Sequence, residues 1–303
     1  MNILVTGANG QLGNELRKCE PHSLHHSTLR LRLATEGEEG DGYRFFFTDV
    51  DELDMTNPDA VDSFFKKNEI QTVINCAAYT AVDKAESDRY TATLINATAV
   101  EYLAKACNKA NAALIHVSTD YVFDGCACKP YSEDHRTAPA SVYGRSKLAG
   151  ETAALTTSLS VVIRTSWLYS SFGNNFVKTM LRLGKERETL NVVFDQVGTP
   201  TYAADLAQTI MKIATTSEKN LLRTGIFHYS NEGVCSWYDF AKEIIQQCNL
   251  KCRVFPIESK DFPTPATRPF YSVLNKAKIK QRFGLSIPHW KDGLMEMLKN
   301  QKI

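Results

Sequence analysis

The side chains that could do acid–base chemistry are those of Tyr143 and Lys147, four residues apart in the sequence. This spacing places both on one face of a helix. An ammonium group beside a phenol lowers the phenol pKa from about 10, which prepares the phenol for proton transfer near neutral pH. Tyr238 and Lys242 repeat the spacing. Because only the first pair follows a strand that ends in a hydroxyl, Thr119, we predict the catalytic pair there and interpret the second pair as structural.

Three glycines follow the first apolar run at i, i+3 and i+6: Gly7, Gly10 and Gly13. The first permits a tight turn, the second lets the backbone approach a pyrophosphate, and the third allows close packing of a helix on a strand. The helix that begins at about Gln11 offers unpaired N–H groups to an anion. Because these glycines join a first strand to a first helix, they predict a dinucleotide-binding turn rather than an ordinary connection.

An acidic residue at the end of the second strand would bind the adenosine ribose of such a cofactor. Asp49 fits this position, and Asp54 and Met55 follow one short loop later. A carboxylate here favours NAD over NADP, because it repels a 2′-phosphate. Arg44 or Lys18 could compensate for that charge. The sequence therefore predicts a nicotinamide cofactor and leaves the choice between NADPH and NADH open.

Short runs rich in Val, Ile and Phe predict the strands that position these residues. They cover residues 3–5, 44–47, 72–75, 113–117 and 161–164, and helical patterns begin at about residue 11 and extend across about residues 90–109. Strands that alternate with helices indicate βαβ units and a parallel sheet covered on both faces. The predicted fold class is therefore α/β: a Rossmann-type doubly wound parallel sheet with a smaller C-terminal substrate-binding domain.

The pattern loosens after residue 166. Further strands are predicted at residues 190–194, 226–229 and 251–257, and two helices close the chain. We assign residues 1–165 to a dinucleotide-binding domain, with residues 190–222 returning to it. Residues 166–189 and 223–303 then form the substrate domain, which completes the site at the boundary between the two.

Composition narrows the possible partners and locations. The 303 residues contain 35 Lys and Arg against 34 Asp and Glu, a net charge of +1, which is too little for a nucleic-acid-binding surface. No apolar run approaches the ~18–20 residues that a membrane span needs. The N-terminus lacks the basic region of a signal peptide, and the eight cysteines show no disulfide framework. We expect a cytoplasmic protein that binds neither nucleic acid nor membrane.

Residues 20–42 interrupt the alternation. His22, His25 and His26 could hold a metal ion, but the acidic residues and glycines that follow are more typical of a solvated loop insertion. The closest cysteine pairs also lack the partner pair of a zinc site. We therefore predict a loop here and no metal site.

Several motifs together resemble those of the extended short-chain dehydrogenase/reductase family. They are residues 7–13, 75–80, 118–125 and 143–147, followed by residues 164–169, 173–177, 198–201 and 267–269. The similarity covers nearly the whole chain apart from residues 20–42, and it is closest to the reductases of nucleotide sugars. The segment Cys126-Ala127-Cys128 also departs from the family pattern.

The resemblance implies a role for each matching residue. It implies a catalytic set of Thr119, Tyr143 and Lys147, in which Tyr143 donates the proton to a C4 carbonyl oxygen and Lys147 also holds the nicotinamide ribose. The implied cofactor contacts are Gly7, Gly10, Gln11, Leu12 and Gly13 at the pyrophosphate, Asp49, Asp54 and Met55 at the adenosine, and Ala77, Ala78 and Tyr79 at the central part. The implied substrate contacts are Thr119, Asp120 and Trp167.

The resemblance implies reduction of the 4-keto group of dTDP-4-dehydro-6-deoxy-L-mannose to dTDP-L-rhamnose, with NADPH or NADH as cofactor. Alternatives are a nucleotide-sugar epimerase or dehydratase of the same fold, or a regulatory subunit resembling that of methionine adenosyltransferase. Dehydratases typically follow the threonine with Asp-Glu, whereas Asp120-Tyr121 stands here. Arg268 could clamp a diphosphate or pair with a surface acid. A homodimer is left open, and so is Mg²⁺, for which no ligand set is evident.

Overall fold

The computed structural model describes residues 1–19, 42–216, 222 and 224–300. The strands are β1 (Asn2–Thr6), β2 (Arg44–Thr48), β3 (Thr72–Asn75), β4 (Ala113–Thr119), β5 (Ser160–Thr165), β6 (Leu168–Tyr169), β7 (Thr189–Val193), β8 (Val197–Gly198), β9 (Thr201–Tyr202), β10 (Gly225–His228), β11 (Cys235–Ser236) and β12 (Arg253–Ile257). The helices are α1 (Gln11–Lys18), α2 (Pro58–Asn68), α3 (Val82–Ala85), α4 (Arg89–Thr93), α5 (Ala99–Ala110), α6 (Val142–Ala154), α7 (Phe176–Glu186), α8 (Ala203–Ala214), α9 (Trp237–Gln247), α10 (Ala277–Phe283) and α11 (Trp290–Asn300).

The centre of the molecule is a six-stranded sheet in the order β10-β5-β4-β3-β1-β2. Every neighbouring pair in it is parallel. The inner strands are rich in buried Val, Ile and Leu side chains, as expected when helices cover both faces. The predicted α/β fold with a doubly wound parallel sheet is confirmed.

Two apolar cores lie on opposite faces of this sheet. On one face, α1 and α8 contribute Leu12, Leu16, Leu206 and Ile210. On the other, α2 and α5 pack against the sheet through residues such as Val61, Phe65, Val100 and Leu103. The alternation of α and β in the sequence produces this sandwich, because each crossover helix returns across one face of the sheet.

The helical pattern predicted across about residues 90–109 contains one irregularity. A π-helical turn at Leu94–Thr98 joins α4 to α5. Asn96 in this turn is fully buried, and its side-chain amide donates to the carbonyl of Tyr79 (3.1 Å) and to the Ser146 hydroxyl (2.9 Å). A Cβ at Gly150 would lie 2.0 Å from the Asn96 carbonyl oxygen, so α6 passes directly against this turn. Such turns are frequent near functional sites.

A third apolar core lies in the second half of the chain, where α7, α9 and α11 surround Tyr169, Phe240 and Trp290. The strands predicted there are present, but two of them pair differently from the domain assignment. β10, from the segment assigned to the substrate domain, extends the central sheet by pairing with β5. β7, from the segment assigned to the dinucleotide-binding domain, pairs with β12. The domain boundaries themselves stay a prediction.

Candidate active site

A cavity of about 760 Å³ runs along the edge of the sheet where the parallel strands end. The last residues of four strands line it: Thr6, Thr48, Thr119 and Thr165. Ligands bind at this edge in open α/β sheets, and the volume suits a small-molecule site. The wall contains these site residues predicted from the sequence: Gly7, Gly10, Gln11, Leu12, Gly13, Asp49, Asp54, Met55, Ala77, Ala78, Thr119, Asp120, Tyr143, Lys147 and Trp167.

Tyr79 is the predicted site residue that does not line the cavity. Its backbone N–H donates to Asn96 Oδ1 (2.8 Å), and its hydroxyl donates to Asp88 Oδ2 (3.2 Å). The side chain packs beside Tyr143 in a small apolar cluster. The structure therefore places Tyr79 behind the site. The wall also contains Thr48, Leu53, Ile95 and Ala99, to which the sequence analysis gave no role, and Ser166 and Asn174, which it named only as parts of longer motifs.

The glycine turn has the geometry that a pyrophosphate cradle requires. Gly7 has φ +66°, and a Cβ there would lie 2.6 Å from Ala77 Cα. A Cβ at Gly13 would lie 2.5 Å from Ala8 Cα, so this glycine permits the contact of α1 with β1. Gly10 begins α1 and has no side chain to cap the first-turn N–H groups. These donors and the positive end of the helix therefore face the cavity and suit an anion.

Asp49 and Asp54 lie at the opposite end of this cradle with different surroundings. Asp49 Oδ2 accepts the backbone N–H of Asn9 (3.1 Å), which ties the end of β2 to the glycine turn. Asp54 Oδ1 accepts both the backbone N–H (2.9 Å) and the hydroxyl (2.7 Å) of Thr56. Both carboxylates line the cavity; Asp49 is fastened to the glycine turn, whereas Asp54 stabilises its own turn.

The cations beside the Asp49 end of the cavity are not those expected from the sequence. Arg44 begins β2, so it lies roughly 16 Å along the strand from Asp49 at about 3.3 Å per residue. Lys18 lies over the Phe172 ring, with its Nζ 4.2 Å from the ring centroid. Arg17 instead stacks on Phe47 at 5.0 Å and donates to Asn9 Oδ1 (3.4 Å). Its position one turn after Gly13 on α1 is the signal that could have identified it.

Tyr143 and Lys147 lie on the inner face of α6. The Ser141 hydroxyl caps this helix by accepting the backbone N–H of Gly144 (3.1 Å). A Cβ at Gly144 would lie 2.2 Å from the Tyr121 carbonyl oxygen, so only glycine allows α6 to approach the end of β4. Lys147 is 2% exposed and donates from Nζ to the Val117 carbonyl oxygen (2.7 Å). The helix therefore delivers both side chains to the end of β4, where Thr119 lies.

The electrostatics of this pair differ from the sequence-based expectation. Burial raises the pKa of Tyr143 well above its usual value; Thr119 opposes the rise, whereas Asp120 and Tyr121 add to it. Burial also lowers the pKa of Lys147 to about 8. The expectation that Lys147 lowers the phenol pKa is not met, because loss of solvation outweighs any attraction between the two groups. A phenol that holds its proton suits a proton donor.

Thr119 and Asp120 form the adjoining wall. The Thr119 hydroxyl donates to Asp120 Oδ1 (2.9 Å) and accepts the backbone N–H of Tyr121 (3.2 Å). Thr119 thus satisfies a strand-end backbone group and also faces the cavity. Burial raises the pKa of Asp120 to about 6, a rise that the Thr119 and Ser272 side chains oppose, and within the described residues its Oδ2 accepts no hydrogen bond of good geometry. A buried oxygen without a partner beside a cavity is suited to a ligand donor.

Trp167 follows β5 with φ +47°, a conformation rare for a bulky side chain. Its ring stacks on Trp237 with centroids 3.6 Å apart and an angle of 7° between the planes. A Cβ at Gly198 would lie 2.7 Å from Trp167 Cε2, so Gly198 makes room for this ring. The tryptophan therefore both lines the cavity and packs on the C-terminal core. Backbone strain of this kind clusters at functional sites.

Arg268 takes the second of its two sequence-based interpretations. Its guanidinium donates to the Tyr121 hydroxyl (3.0 Å) and forms an ion pair with Asp83, which is partly exposed. It does not line the main cavity. Asp83 also accepts the backbone N–H of Ala266 (3.2 Å), so the pair ties the segment around Arg268 to α3.

The described residues contain neither a metal-ligand cluster nor a membrane-spanning helix. Among residues 1–19, 42–216, 222 and 224–300, there is no group of three or more His, Cys, Asp or Glu side chains that could hold a metal ion. His22, His25 and His26 lie outside the described residues. All eight cysteines are described, and each is a free thiol. No helix in the described ranges is long and apolar enough to cross a membrane.

Comparison with known proteins agrees with this geometry. A family model described as RmlD substrate binding domain matches residues 1–303. The dTDP-4-dehydrorhamnose reductase of Aggregatibacter actinomycetemcomitans is 41% identical over 304 residues, which cover 96% of each chain. A crystal structure of a dTDP-4-dehydrorhamnose reductase from Clostridium acetobutylicum is 42% identical, with a TM-score of 0.88 and 100% of both chains covered. One from Bacillus anthracis, in complex with NADP, is 39% identical over 99% of both chains with a TM-score of 0.87.

Proposed function

Because the chain belongs to the RmlD substrate-binding-domain family, we propose that it reduces the C4 keto group of dTDP-4-dehydro-6-deoxy-L-mannose to give dTDP-L-rhamnose. The Aggregatibacter relative is a dTDP-4-dehydrorhamnose reductase, and the Bacillus anthracis structure of that name is in complex with NADP. The observation that carries the proposal is the cavity at the end of the strands. It joins the glycine turn after β1 to the Thr119, Tyr143 and Lys147 side chains in one continuous wall.

A nicotinamide cofactor fits the residues present. The backbone at Gly10 and the N–H groups of the first turn of α1, which line the cavity, would hold the pyrophosphate. Asp49 would accept the hydroxyls of the adenosine ribose, and Lys147 would hold the nicotinamide ribose. When bound, the reduced nicotinamide supplies the hydride for the carbonyl carbon.

Tyr143 supplies the proton that completes the reduction. Its phenol donates to the carbonyl oxygen as that oxygen gains charge, so the carbonyl becomes an alcohol and the tyrosine becomes a phenolate. The Lys147 ammonium stabilises that phenolate, and a proton from solvent restores the phenol. Thr119 would hydrogen-bond to the same carbonyl oxygen and fix its position. Trp167 and Asp120, which also line the cavity, would contact the sugar nucleotide.

Turnover of the 4-keto sugar nucleotide tests the proposal directly. We expect net oxidation of NADPH or NADH and a dTDP-rhamnose product, identified by mass spectrometry. An epimerase would give a new sugar isomer without net oxidation, and a dehydratase would release water from a hydroxylated precursor. A flat absorbance trace with both cofactors, together with copurification of an adenosyltransferase subunit, would favour the regulatory alternative and reject the proposal.

A cytoplasmic location is our expectation, and a homodimer stays open. Sedimentation of the purified protein would decide its oligomeric state.

A further inference from the structure

The catalytic face of α6 carries a third buried polar side chain. Glu151 follows Lys147 by four residues, as Lys147 follows Tyr143, so the three form one line along the helix. Glu151 is 1% exposed and does not line the cavity. An acid buried this deeply needs charged or hydrogen-bonding partners, because an unpaired carboxylate in the interior is very unfavourable.

Glu151 has such partners on two strands of the central sheet. Its Oε1 accepts the Ser118 hydroxyl (2.5 Å) and Arg164 Nε (2.9 Å), and its Oε2 accepts Arg164 Nη2 (2.7 Å). Ser118 is the residue before Thr119 on β4, and Arg164 lies on β5. The carboxylate therefore fastens α6 to the strand end that presents the catalytic threonine.

Arg164 is itself held rigidly, at 2% exposure. Its guanidinium lies 5.0 Å from the Phe123 ring centroid, and Nη1 lies 3.5 Å from His228 Nε2. His228 Nδ1 lies 3.1 Å from the Tyr131 carbonyl oxygen, which can only accept, so Nδ1 carries the proton and Nε2 faces Arg164 as a lone pair. Burial and Arg164 lower the pKa of His228 to about 3, so this imidazole stays neutral.

The charge that Lys147 meets in the interior comes from Glu151. The titratable groups that face Lys147 from the elements packed on it are Tyr143 and Glu151 on α6, Cys76 after β3 and His116 on β4. Burial raises the pKa of Cys76 to about 12 and lowers that of His116, so both are neutral at working pH. Glu151, which forms the buried ion pair with Arg164, is the neighbour whose charge most favours the ammonium form of Lys147.

We propose that Glu151, held in place by Arg164, is a positioning residue that keeps Lys147 charged and aligns the α6 face with Thr119. The proposal rests on the proposed function, since it assigns Lys147 a role as an ammonium in that reaction. Glu151 touches neither substrate nor cofactor and acts through Lys147 and Ser118.

The Glu151→Gln variant removes the charge and keeps the shape. Without the carboxylate, the negative charge that favours the ammonium form of Lys147 is gone, so Lys147 loses its proton at a lower pH. We expect the alkaline limb of kcat/KM, which reports the free enzyme, to fall from about pH 8 by about 1–3 units. Glu151→Asp keeps the charge and should return the limb to within about half a unit of its original position.

Two further variants separate chemistry from folding. Glu151→Gln leaves a guanidinium donor facing an amide N–H, so it could unfold the protein; the double variant Glu151→Gln/Arg164→Gln pairs two neutral amides instead. The double variant should recover thermal stability while its alkaline limb stays below that of the original protein. Glu243→Gln breaks the Glu243–Lys291 ion pair far from the cavity and should leave the limb unchanged.

The Lys147 pKa can also be read without any substrate. Protein labelled with ¹³C at lysine Cε, with Lys147→Arg to assign the signal, should show the Lys147 titration move to lower pH in Glu151→Gln. This shift would support the inference even if no sugar nucleotide is turned over, so a failure of the proposed function is distinguishable. An unchanged Lys147 titration and alkaline limb in Glu151→Gln, with only the thermal midpoint lowered, would overturn it.

Discussion

Helices α6 and α9 carry a tyrosine and a lysine at the same spacing, but the two pairs differ in their burial and in the groups beside them. On α6, Tyr143 and Lys147 are buried against the sheet and line the cavity. On α9, Tyr238 is half-buried and Lys242 is exposed, with its Nζ 5.8 Å from the tyrosine ring centroid. The buried face of α9 instead consists of apolar residues such as Phe240 and Ile244. Spacing brings two side chains together, whereas burial and neighbouring groups decide whether they can do chemistry.

The largest expected difference between the two helices is in rate. Tyr143→Phe deletes only the hydroxyl, so kcat should fall by about 10²–10⁴, the usual worth of general acid catalysis. Tyr238→Phe should leave kcat within a few fold. Steady-state kinetics on variants with matched thermal midpoints would check this. If Tyr238→Phe lost activity and Tyr143→Phe retained it, the active site would lie on α9 and not on α6.

The two lysines should also differ in their effect on stability. Replacing Lys147 should raise the stability of the folded protein, although it removes a catalytic group. The Lys147 pKa of about 8 lies below the unfolded value of 10.5, so folding favours the neutral amine. The original protein should therefore gain stability as pH rises from about 8 to 10.5 and carry the full penalty below 8. Lys147→Met removes about 3 kcal/mol of penalty and one hydrogen bond to Val117, for a net gain of roughly 2 kcal/mol at neutral pH.

Lys147→Met should also abolish turnover and weaken cofactor binding, whereas Lys242→Met should change neither activity nor stability by much. Chemical denaturation of both variants between pH 7 and about 10 would measure the effect. A Lys147→Met protein less stable than the original at pH 7 would show that its ammonium stabilises the fold.

The approach of each helix to its neighbours is a third difference. Gly144 follows Tyr143, and a Cβ there would lie 2.2 Å from the Tyr121 carbonyl oxygen; the corresponding residue on α9 is the exposed Asp239. Gly144→Ala should therefore destabilise the protein by about 1–3 kcal/mol and displace Tyr143. Thr152→Ala, on the exposed face of α6, should cost no more than about 0.5 kcal/mol. Equal losses of unfolding free energy in urea for Gly144→Ala and Thr152→Ala would contradict the close approach of α6 to the Tyr121 carbonyl.

The smallest expected effect concerns the helix caps, which the two helices share. Ser141 caps α6, and Ser236 caps α9 in a reciprocal pair with Asp239. Replacing either serine by alanine should cost about 1 kcal/mol of stability. Only Ser141→Ala should lower kcat, several-fold, because it loosens the helix that positions the reacting side chains. A kcat loss of the same size in Ser236→Ala would erase the distinction.

The fold and the catalytic face could be predicted because local patterns determine them. Apolar runs gave the strands, and the glycine turn and the Tyr143–Lys147 spacing lie within single elements. The pairing of β10 with β5 and of β7 with β12 could not be predicted, since it depends on long-range contacts between segments of similar composition.

The charge interactions and pKa shifts of the site could not be predicted from the sequence for a related reason. Arg164 lies thirteen residues from Glu151 and on another element, so no spacing rule joins them. The raised Tyr143 pKa reflects burial, which depends on the packing of α6 against β4 and β5. Arg44 is close to Asp49 in the sequence, whereas Arg17 lies on α1, and only the fold brings its guanidinium onto the Phe47 ring near the end of β2.

The π-helical turn at Leu94–Thr98 determines which side of α5, the helix that follows it, faces the central sheet. Each residue of an α-helix turns the chain by about 100°, so this turn accommodates one more residue than a regular turn would. The apolar stripe of α5, which includes Val100, Leu103 and Cys107, faces the sheet because the extra residue turns the helix to that orientation. Loss of one residue from the turn would rotate that stripe away from β3 and β4 and bring polar side chains against them.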